Sequence, residues 1–489
     1  MVAVPHSSPT SSRRAWSQLF QAPGRAFALT PLPILQGKVP GALRGTLFRN
    51  GPGRLVRGQK TMGHWFDGDG SILGVYFTET GVQAQYRYVE TPYLQQEATA
   101  DTLLLPNYGT LAPGPIWQRW GKPAKNSANT SVLPLGDRLL ALWEAGKPYA
   151  LDLQTLETLG EADLGFAHRS DTFSAHHKIH PATGEIYNFG VTFGPQATFQ
   201  LYRCEPQGKI RHQTHFSVPG LKGLPLVHDF VLAGDYLVFC IPPVRLQMLP
   251  TLLGLKTVSE ALQWRPELGT IVVIIDRHTL KPISISRQDP WFQWHFTNGF
   301  VNDQGEIVLE MVRFPDFASN QQFVEIPQGQ IKTYTKGTLW RYHLEPKTAK
   351  VITANEICDR SCEFPITLES QTGQPWRKTF MGIHRQTTDI GYELINAIAA
   401  FDHHTITFTM ADMGPDHYPS EPIPVQNPQN PDQIWLLVVV FNAPAKRSEL
   451  RIYDGDRLDE EPLCTLEFPK IIPPSFHGKW QPEALDHKN

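Results

Sequence analysis

The sequence predicts an all-β protein, a single β-propeller domain with long loops capping one face, from three observations. Short strands recur between turn signals from about residue 42 to the C-terminus; 42 prolines and 38 glycines supply a high turn density; and four histidines each stand where a strand begins, three of them at matching points of hairpin units. The 489 residues exceed the ~250–300 that one core usually fills. No linker or low-complexity stretch divides the chain beyond its N-terminal arm, so radial repetition accounts for the length. About 430 residues over seven four-stranded blades leave ~60 per blade against ~40–45 for a minimal one, and the surplus forms loops.

The elements follow in order. Ser71–Phe77 and Val82–Thr91 flank the turn Thr78-Glu79-Thr80-Gly81, and 138–144 and 149–153 flank Ala145-Gly146-Lys147-Pro148. Strands at 198–205 and 209–216 flank Pro206-Gln207-Gly208, and Leu339–Leu344 precedes 350–355. Thr270–Ile275 and Ile434–Phe441 are too apolar for a half-exposed sheet and suit strands covered on both faces. Long loops are expected over Leu104–Lys125, Pro243–Trp264 and Met413–Gln433. The expected domains are a flexible N-terminal arm over 1–35, a candidate for membrane proximity, and a single propeller domain over 36–489.

A net charge of −3 with no long basic stretch argues against a nucleic-acid partner and for a small or neutral one. Five cysteines, only Cys358 and Cys362 close in sequence, suit buried thiols in a reducing compartment. The first 35 residues hold no apolar run of signal-peptide length, and Ile434–Phe441, the longest such run anywhere, falls far short of the ~20 residues that span a bilayer. A cytoplasmic protein, soluble or peripherally membrane-associated, is expected. Leu246, Met248, Leu249, Leu252, Leu253 and Leu255 crowd a segment that Pro250 and Gly254 keep from being one regular helix. That segment either lids the core or dips into a lipid surface.

His176, His228, His295 and His477 carry the chemistry. Each of the first three opens a strand that turns at Pro181-Ala182-Thr183-Gly184, Ala233-Gly234-Asp235 or Asn302-Asp303-Gln304-Gly305 and is followed by a second strand. In equivalent units around one axis, the same point of each unit lands at the same end of that axis. His477 has to reach the axis from the closing segment. No acidic residue accompanies the four at comparable positions, which points to a redox-active metal on neutral imidazoles. Among 18 histidines, spacing alone is a weak signal.

The flanks strengthen it. Ser174-Ala175-His176, Val227-His228-Asp229-Phe230, His295-x-x-Asn298 and Phe476-His477-Gly478 resemble, in order, the iron-ligand motifs of the carotenoid cleavage oxygenase family, most like the apocarotenoid oxygenases. Arg49-Asn50-Gly51-Pro52-Gly53, Phe66-Asp67-Gly68-Asp69-Gly70, Lys125-Asn126-x-Ala128-Asn129-Thr130 and Cys362-Glu363-Phe364-Pro365 match four further family strings. The resemblance runs from about Pro40 to Trp480. It implies a seven-bladed propeller with Fe(2+) on its axis, with Glu144, Glu363 and Glu421 accepting from the far nitrogens of His228, His295 and His477 and leaving His176 without a carboxylate. It also implies that Thr130 stands near an open position on the ion. His177, which replaces the family's common proline, should point away from the metal, and His180, His64, His403 and His404 belong to structure or surface.

The implied reaction is dioxygen-dependent cleavage of a conjugated C=C bond of a carotenoid or apocarotenoid to carbonyl products. It needs no external reductant, and no convincing nicotinamide or flavin fingerprint is present. Trp143, Trp294 and Phe364, each adjacent to a metal-site residue in sequence, are candidates to line the tunnel for such a polyene. A membrane-dissolved substrate would give the leucine-rich segment a docking role. The alternatives are a stilbenoid-cleaving oxygenase of the same family and a non-catalytic binding platform; the Pro-Asp-Pro-Cys-Lys string of the retinoid-isomerising branch is absent.

Overall fold

Apolar runs that are short, rich in β-branched and aromatic residues and closed by Gly, Pro, Asn or Asp make antiparallel strands the favoured local structure. The computed structural model describes residues 14–192 and 196–483. Among them, strands form seven sheets of four to six strands, with one three-stranded and one two-stranded sheet besides. Most four-stranded sheets are simple meanders, as in Lys178–Ile179, Ile186–Thr192, Thr198–Cys204 and Ile210–Phe216.

Two sheets mix the ends of the chain. His477–Pro482 pairs antiparallel with Gly45–Arg54, placing His477 opposite Asn50. Ile34–Gly37 pairs with Cys464–Glu467. Gly51 is required at the first junction, because a Cβ there would meet the Cα of Ser475 at 2.4 Å.

Each apolar layer lies between two sheets. Phe48 and Ile72 of the first sheet meet Val132 and Leu139 of the second; Leu140 and Leu142 meet Ile186 and Tyr202 of the third; Phe189 and Phe199 meet Phe239 and Ile271 of the fourth. Val238 and Val272 meet Leu309 and Met311 of the fifth, and Val312 and Leu339 meet Met381 and Ala399 of the sixth. Phe380 and Ile398 then meet Leu436 and Val438 of the seventh, whose opposite-facing Leu437 and Val439 pack on Leu47 and Val75 of the first. The series therefore closes on itself. The near-continuous apolar character of Thr270–Asp276 and of 434–441 follows, since each is covered on both faces.

Three expectations need correction. Met413–Gln433 is not a loop: His417–Pro419 and Ile423–Asn427 both pair with Asn430–Asn442. Its prolines are tolerated at a sheet edge, where a missing N–H leaves no ladder position unfilled. Within the expected arm, residues 1–13 lie outside the described residues, whereas the 3-10 helix Ala15–Phe20 buries Trp16, Leu19 and Phe20, and Phe27–Pro31 pairs with Gly81–Tyr88. Pro243–Trp264 is not a plain loop either: Val244–Leu246 pairs with Leu262–Trp264 across two short helices, which buries Leu246, so the apolar surface comprises Leu249, Leu252, Leu253 and Leu255, with Met248 half-buried beside it. No helix among the described residues is long and apolar enough to cross a membrane.

Candidate metal centre

Four strand beginnings deliver four imidazoles to one point. His176 precedes Lys178–Ile179, His228 precedes Val231–Ala233, His295 precedes Phe296–Val301, and His477 opens His477–Pro482. The strands belong to four different sheets. One nitrogen from each ring lies within 4.8 Å of the others. Nε2 of His228 is 3.0 Å from Nε2 of His176 and 3.1 Å from Nε2 of His295.

Three carboxylates hold the far nitrogens. Glu144 pairs with Nδ1 of His228; Glu363 Oε2 is 2.6 Å from Nδ1 of His295, and Glu421 Oε1 is 2.9 Å from Nδ1 of His477. Such pairing places the proton on Nδ1 and turns the Nε2 lone pair inward. His176 has no carboxylate within hydrogen-bond reach: Asp229 Oδ1 is 3.9 Å from its Nδ1 and accepts instead from Lys178 Nζ at 2.8 Å.

Irregular strands aim two of these carboxylates, and Glu144 stands in the turn after Leu139–Leu142. The register of Cys362–Ile366 shifts between Glu363 and Ile366, and Phe364 takes φ 55°, a left-handed conformation that a bulge imposes and that turns its ring over His295 at 5.3 Å. The edge strand of the last sheet breaks between Pro419 and Ile423, and Glu421 drops from that gap to His477. Arg49, 1% exposed, fixes this corner: its guanidinium donates to Ser475 Oγ at 2.7 Å and to the carbonyls of Glu421 and Phe476 at 2.7 and 3.3 Å.

Electrostatics favour the neutral form at His176 and His228. Burial, then the other histidines, pushes His176 and His228 well below the ordinary imidazole value. Burial works the same way on His295, but the charge and hydrogen bond of Glu363 outweigh it and raise that group. Burial alone would raise Glu421, yet His477 and Arg49 hold it low. With their protons held on Nδ1 by Glu144 and Glu363, the Nε2 atoms of His228 and His295 face one another at 3.1 Å with no proton between them, which is unfavourable without a cation. With metal–nitrogen bonds of about 2.1 Å, neighbouring ligand nitrogens lie ~3.0–3.4 Å apart, so the spacing fits ligands of one ion. The donor set therefore suits a divalent transition metal.

The centre opens on a cavity whose wall includes His228, His295, His477, Thr130, Trp143, Trp294 and Phe364. Trp294 stands edge-on to His228 at 5.0 Å and donates from Nε1 to Ser319 Oγ at 2.9 Å. Thr130 donates to Asn129 Oδ1 at 3.1 Å, and its carbonyl accepts the His477 backbone N–H at 3.3 Å. A second, more polar cavity meets the histidines from another side and contains His177, whose ring nitrogens find no protein partner. His64 is buried and pushed down to about 3 by burial, His403 is taken by Glu310 and Thr379, His404 is exposed, and His180 contacts Thr183. The sequence reading missed Phe66, Tyr108, Phe323 and Tyr418 as cavity walls; none adjoins a histidine motif.

A family model described as retinal pigment epithelial membrane protein matches residues 21–482. Apocarotenoid-15,15'-oxygenase of Synechocystis is 30% identical, with 98% of this chain and 99% of that protein covered. Isoeugenol monooxygenase of Pseudomonas putida is 28% identical (91% and 94% covered), and resveratrol cleavage oxygenase 1 of Aspergillus fumigatus 26% (91% of each). The solved structure of cobalt-substituted Synechocystis apocarotenoid oxygenase superposes with a TM-score of 0.88 at 30% identity, covering 96% of this chain and 99% of that one. The chain belongs to the retinal pigment epithelial membrane protein and carotenoid oxygenase family. Within it, it is an enzyme of the cleavage-oxygenase type.

Two outcomes test the centre. His228→Ala should leave the purified protein without stoichiometric metal, Glu363→Gln should weaken binding by about 10–100-fold, and His177→Ala should keep most of the metal; elemental analysis and chelator competition read all three, and loss from the His177 variant in place of the His228 variant contradicts the ligand set. The metal-free protein should also lose stability in mild acid. His64, His176, His177 and His228 are all lowered by burial, so below about pH 6.5 the unfolded chain binds protons that the folded one refuses. Each such group removes up to ~1.4 kcal/mol per pH unit as pH falls from 7 to 5. His295, being raised, opposes this. Denaturant titrations at pH 5, 6 and 7 should show the decline; a flat or inverted profile contradicts it.

Proposed function

We propose that the seven sheets of four or more strands are the blades of a seven-bladed propeller, with Fe(2+) held on its axis by His176, His228, His295 and His477, and that the enzyme cleaves a conjugated C=C bond of a carotenoid or apocarotenoid with dioxygen, giving aldehyde or ketone products. The closed series of seven apolar layers supports the blade count. One observation carries the activity: inward-facing imidazoles open on a cavity walled by Trp65, Phe66, Trp294, Phe323 and Phe476. Iron bound there supplies the electrons that activate dioxygen.

The chain's residues supply the rest. Glu144, Glu363 and Glu421 hold three imidazoles by Nδ1 and offset the ion's charge at one remove, leaving its remaining positions free of carboxylate. The aromatic wall excludes water and holds a rigid apolar chain beside the centre, so the cut is chosen by how far that chain threads past the histidines. Thr130, beside His477 in the same wall, narrows access to an open position. A stilbenoid substrate is the second reading, favoured by the resveratrol-cleaving relative.

A substrate dissolved in lipid needs a docking surface. Leu249 and Leu252 are 68% and 67% exposed, and exposed Trp120 donates to the carbonyl of Leu253 at 3.0 Å. Together with Trp117 and Leu255, these groups make a surface that dips into a membrane, with tryptophans at the interface.

With iron loaded, a panel of carotenoids, apocarotenals and stilbenes should show oxygen-dependent cleavage of a polyene at one bond, read as aldehyde length by mass spectrometry; cleavage of stilbenes only selects the second reading, and no cleavage of either class contradicts both. Leu249→Glu with Leu252→Glu should reduce co-sedimentation with phosphatidylcholine vesicles severalfold while metal content holds. Equal sedimentation of variant and wild type contradicts the docking surface.

A further inference from the structure

The aromatic cavity carries polar groups that the metal chemistry does not use. Glu393 and Tyr418 line it together with His228, His295 and His477. Glu393 is 8% exposed, and burial raises its carboxyl against the opposing influence of Tyr418 and Arg14. The Tyr418 hydroxyl donates to Glu393 Oε2 at 2.9 Å, and an Arg14 guanidinium nitrogen stands 3.2 Å from Oε1. Tyr418 lies three residues before Glu421 on the broken edge strand. Extended chain rises ~3.3 Å per residue, so the pair is set back roughly 10 Å along the backbone from the carboxylate that holds His477.

A carboxyl in an apolar wall costs free energy unless something uses it. The Arg14 pair does not account for it, because the Arg14 side chain is 45% exposed and a pair of that kind contributes little. Each carboxylate oxygen has two acceptor sites. One donor on each oxygen leaves acceptor capacity free, and a protonated carboxyl retains an acceptor as well. A hydroxyl entering the cavity finds an acceptor in either charge state, whereas a plain hydrocarbon end desolvates the group and returns nothing.

We propose that Glu393, oriented by Tyr418, accepts the hydroxyl of a substrate whose apolar body fills the cavity, so that the preferred polyenes carry a hydroxyl on their terminal ring. This rests on the polyene reading above and adds the end group to it. The hydrogen bond sets how far the chain threads past the histidines, making Glu393 a specificity residue. A site built to pair with a hydroxyl discriminates strongly against the analogue that lacks one.

The test compares two apocarotenals of equal length, differing by one ring hydroxyl, on the full-length metal-loaded protein. Tryptophan-fluorescence quenching gives Kd and product formation gives kcat/KM. Wild type should favour the hydroxylated compound by about ten- to a hundredfold in both. Glu393→Leu should bring both ratios to near one with wild-type metal content, and Tyr418→Phe, which removes the orienting hydroxyl alone, should lower them partway. Equal affinity of wild type for the two compounds, or an unchanged ratio in Glu393→Leu, overturns the proposal. Selective binding without cleavage of either compound would sink the reaction reading and leave the hydroxyl site standing.

Discussion

Imidazoles whose protons are held on the outer nitrogens cannot stand nose to nose in a protein interior unless something positive sits among them. Nε2 atoms of His176 and His295 lie 3.0 and 3.1 Å from that of His228, and the lone pairs of His228 and His295 converge because Glu144 and Glu363 draw their protons to Nδ1. Much of the surrounding architecture serves that convergence. Each ring rides at the start of a strand, each strand is clamped in a sheet, and the sheets are locked by apolar layers that close on themselves. A close-packed frame of this kind holds its shape, so the ligands are preorganised before an ion arrives.

The motifs that look like signatures act as fasteners around this point. Asn50 donates to the carbonyls of Ala128 and Ser131, both at 2.9 Å, tying the strand opposite His477 to the segment bearing Thr130. Asp69 and Glu97 bind Arg57 and Lys125 in a network whose side chains are 1–2% exposed. Buried charges of this kind are poor sources of net stability but costly to break singly, which suits a device for fixing loop geometry. Asn298 donates to the carbonyls of Gln371 and Gln374 at 2.7 and 3.1 Å and accepts from Gly373 N–H at 3.0 Å, stapling the His295 strand to a neighbouring loop. His295, in a rigid sheet, meets Glu363 from the next one.

The all-β class was legible in the sequence because strand periodicity and turn residues are local signals. Thr270–Asp276 and Thr198–Cys204 fall within a residue of their expected bounds. The site was legible wherever a functional residue sits beside a strand opening, as His228 and His295 do. What stayed hidden depends on tertiary contact. Pro419, Pro422 and Pro424 read as loop, and only the partner strand reveals a broken edge; Leu246 reads as patch until its strand neighbours cover it. The packing of Trp16 against the Tyr392 carbonyl and the facing of Glu393 by Tyr418 join segments 376 and 25 residues apart, and no local pattern announces them.

X-ray absorption at the metal edge of the iron-loaded protein tests the central claim most directly. A shell containing four imidazole nitrogens with their ring multiple-scattering signature, with no carboxylate oxygen from the chain, is the expected result, and His228→Ala should erase that signature. A folded sample that binds no iron anaerobically, or a shell with two imidazoles and a carboxylate, would contradict it.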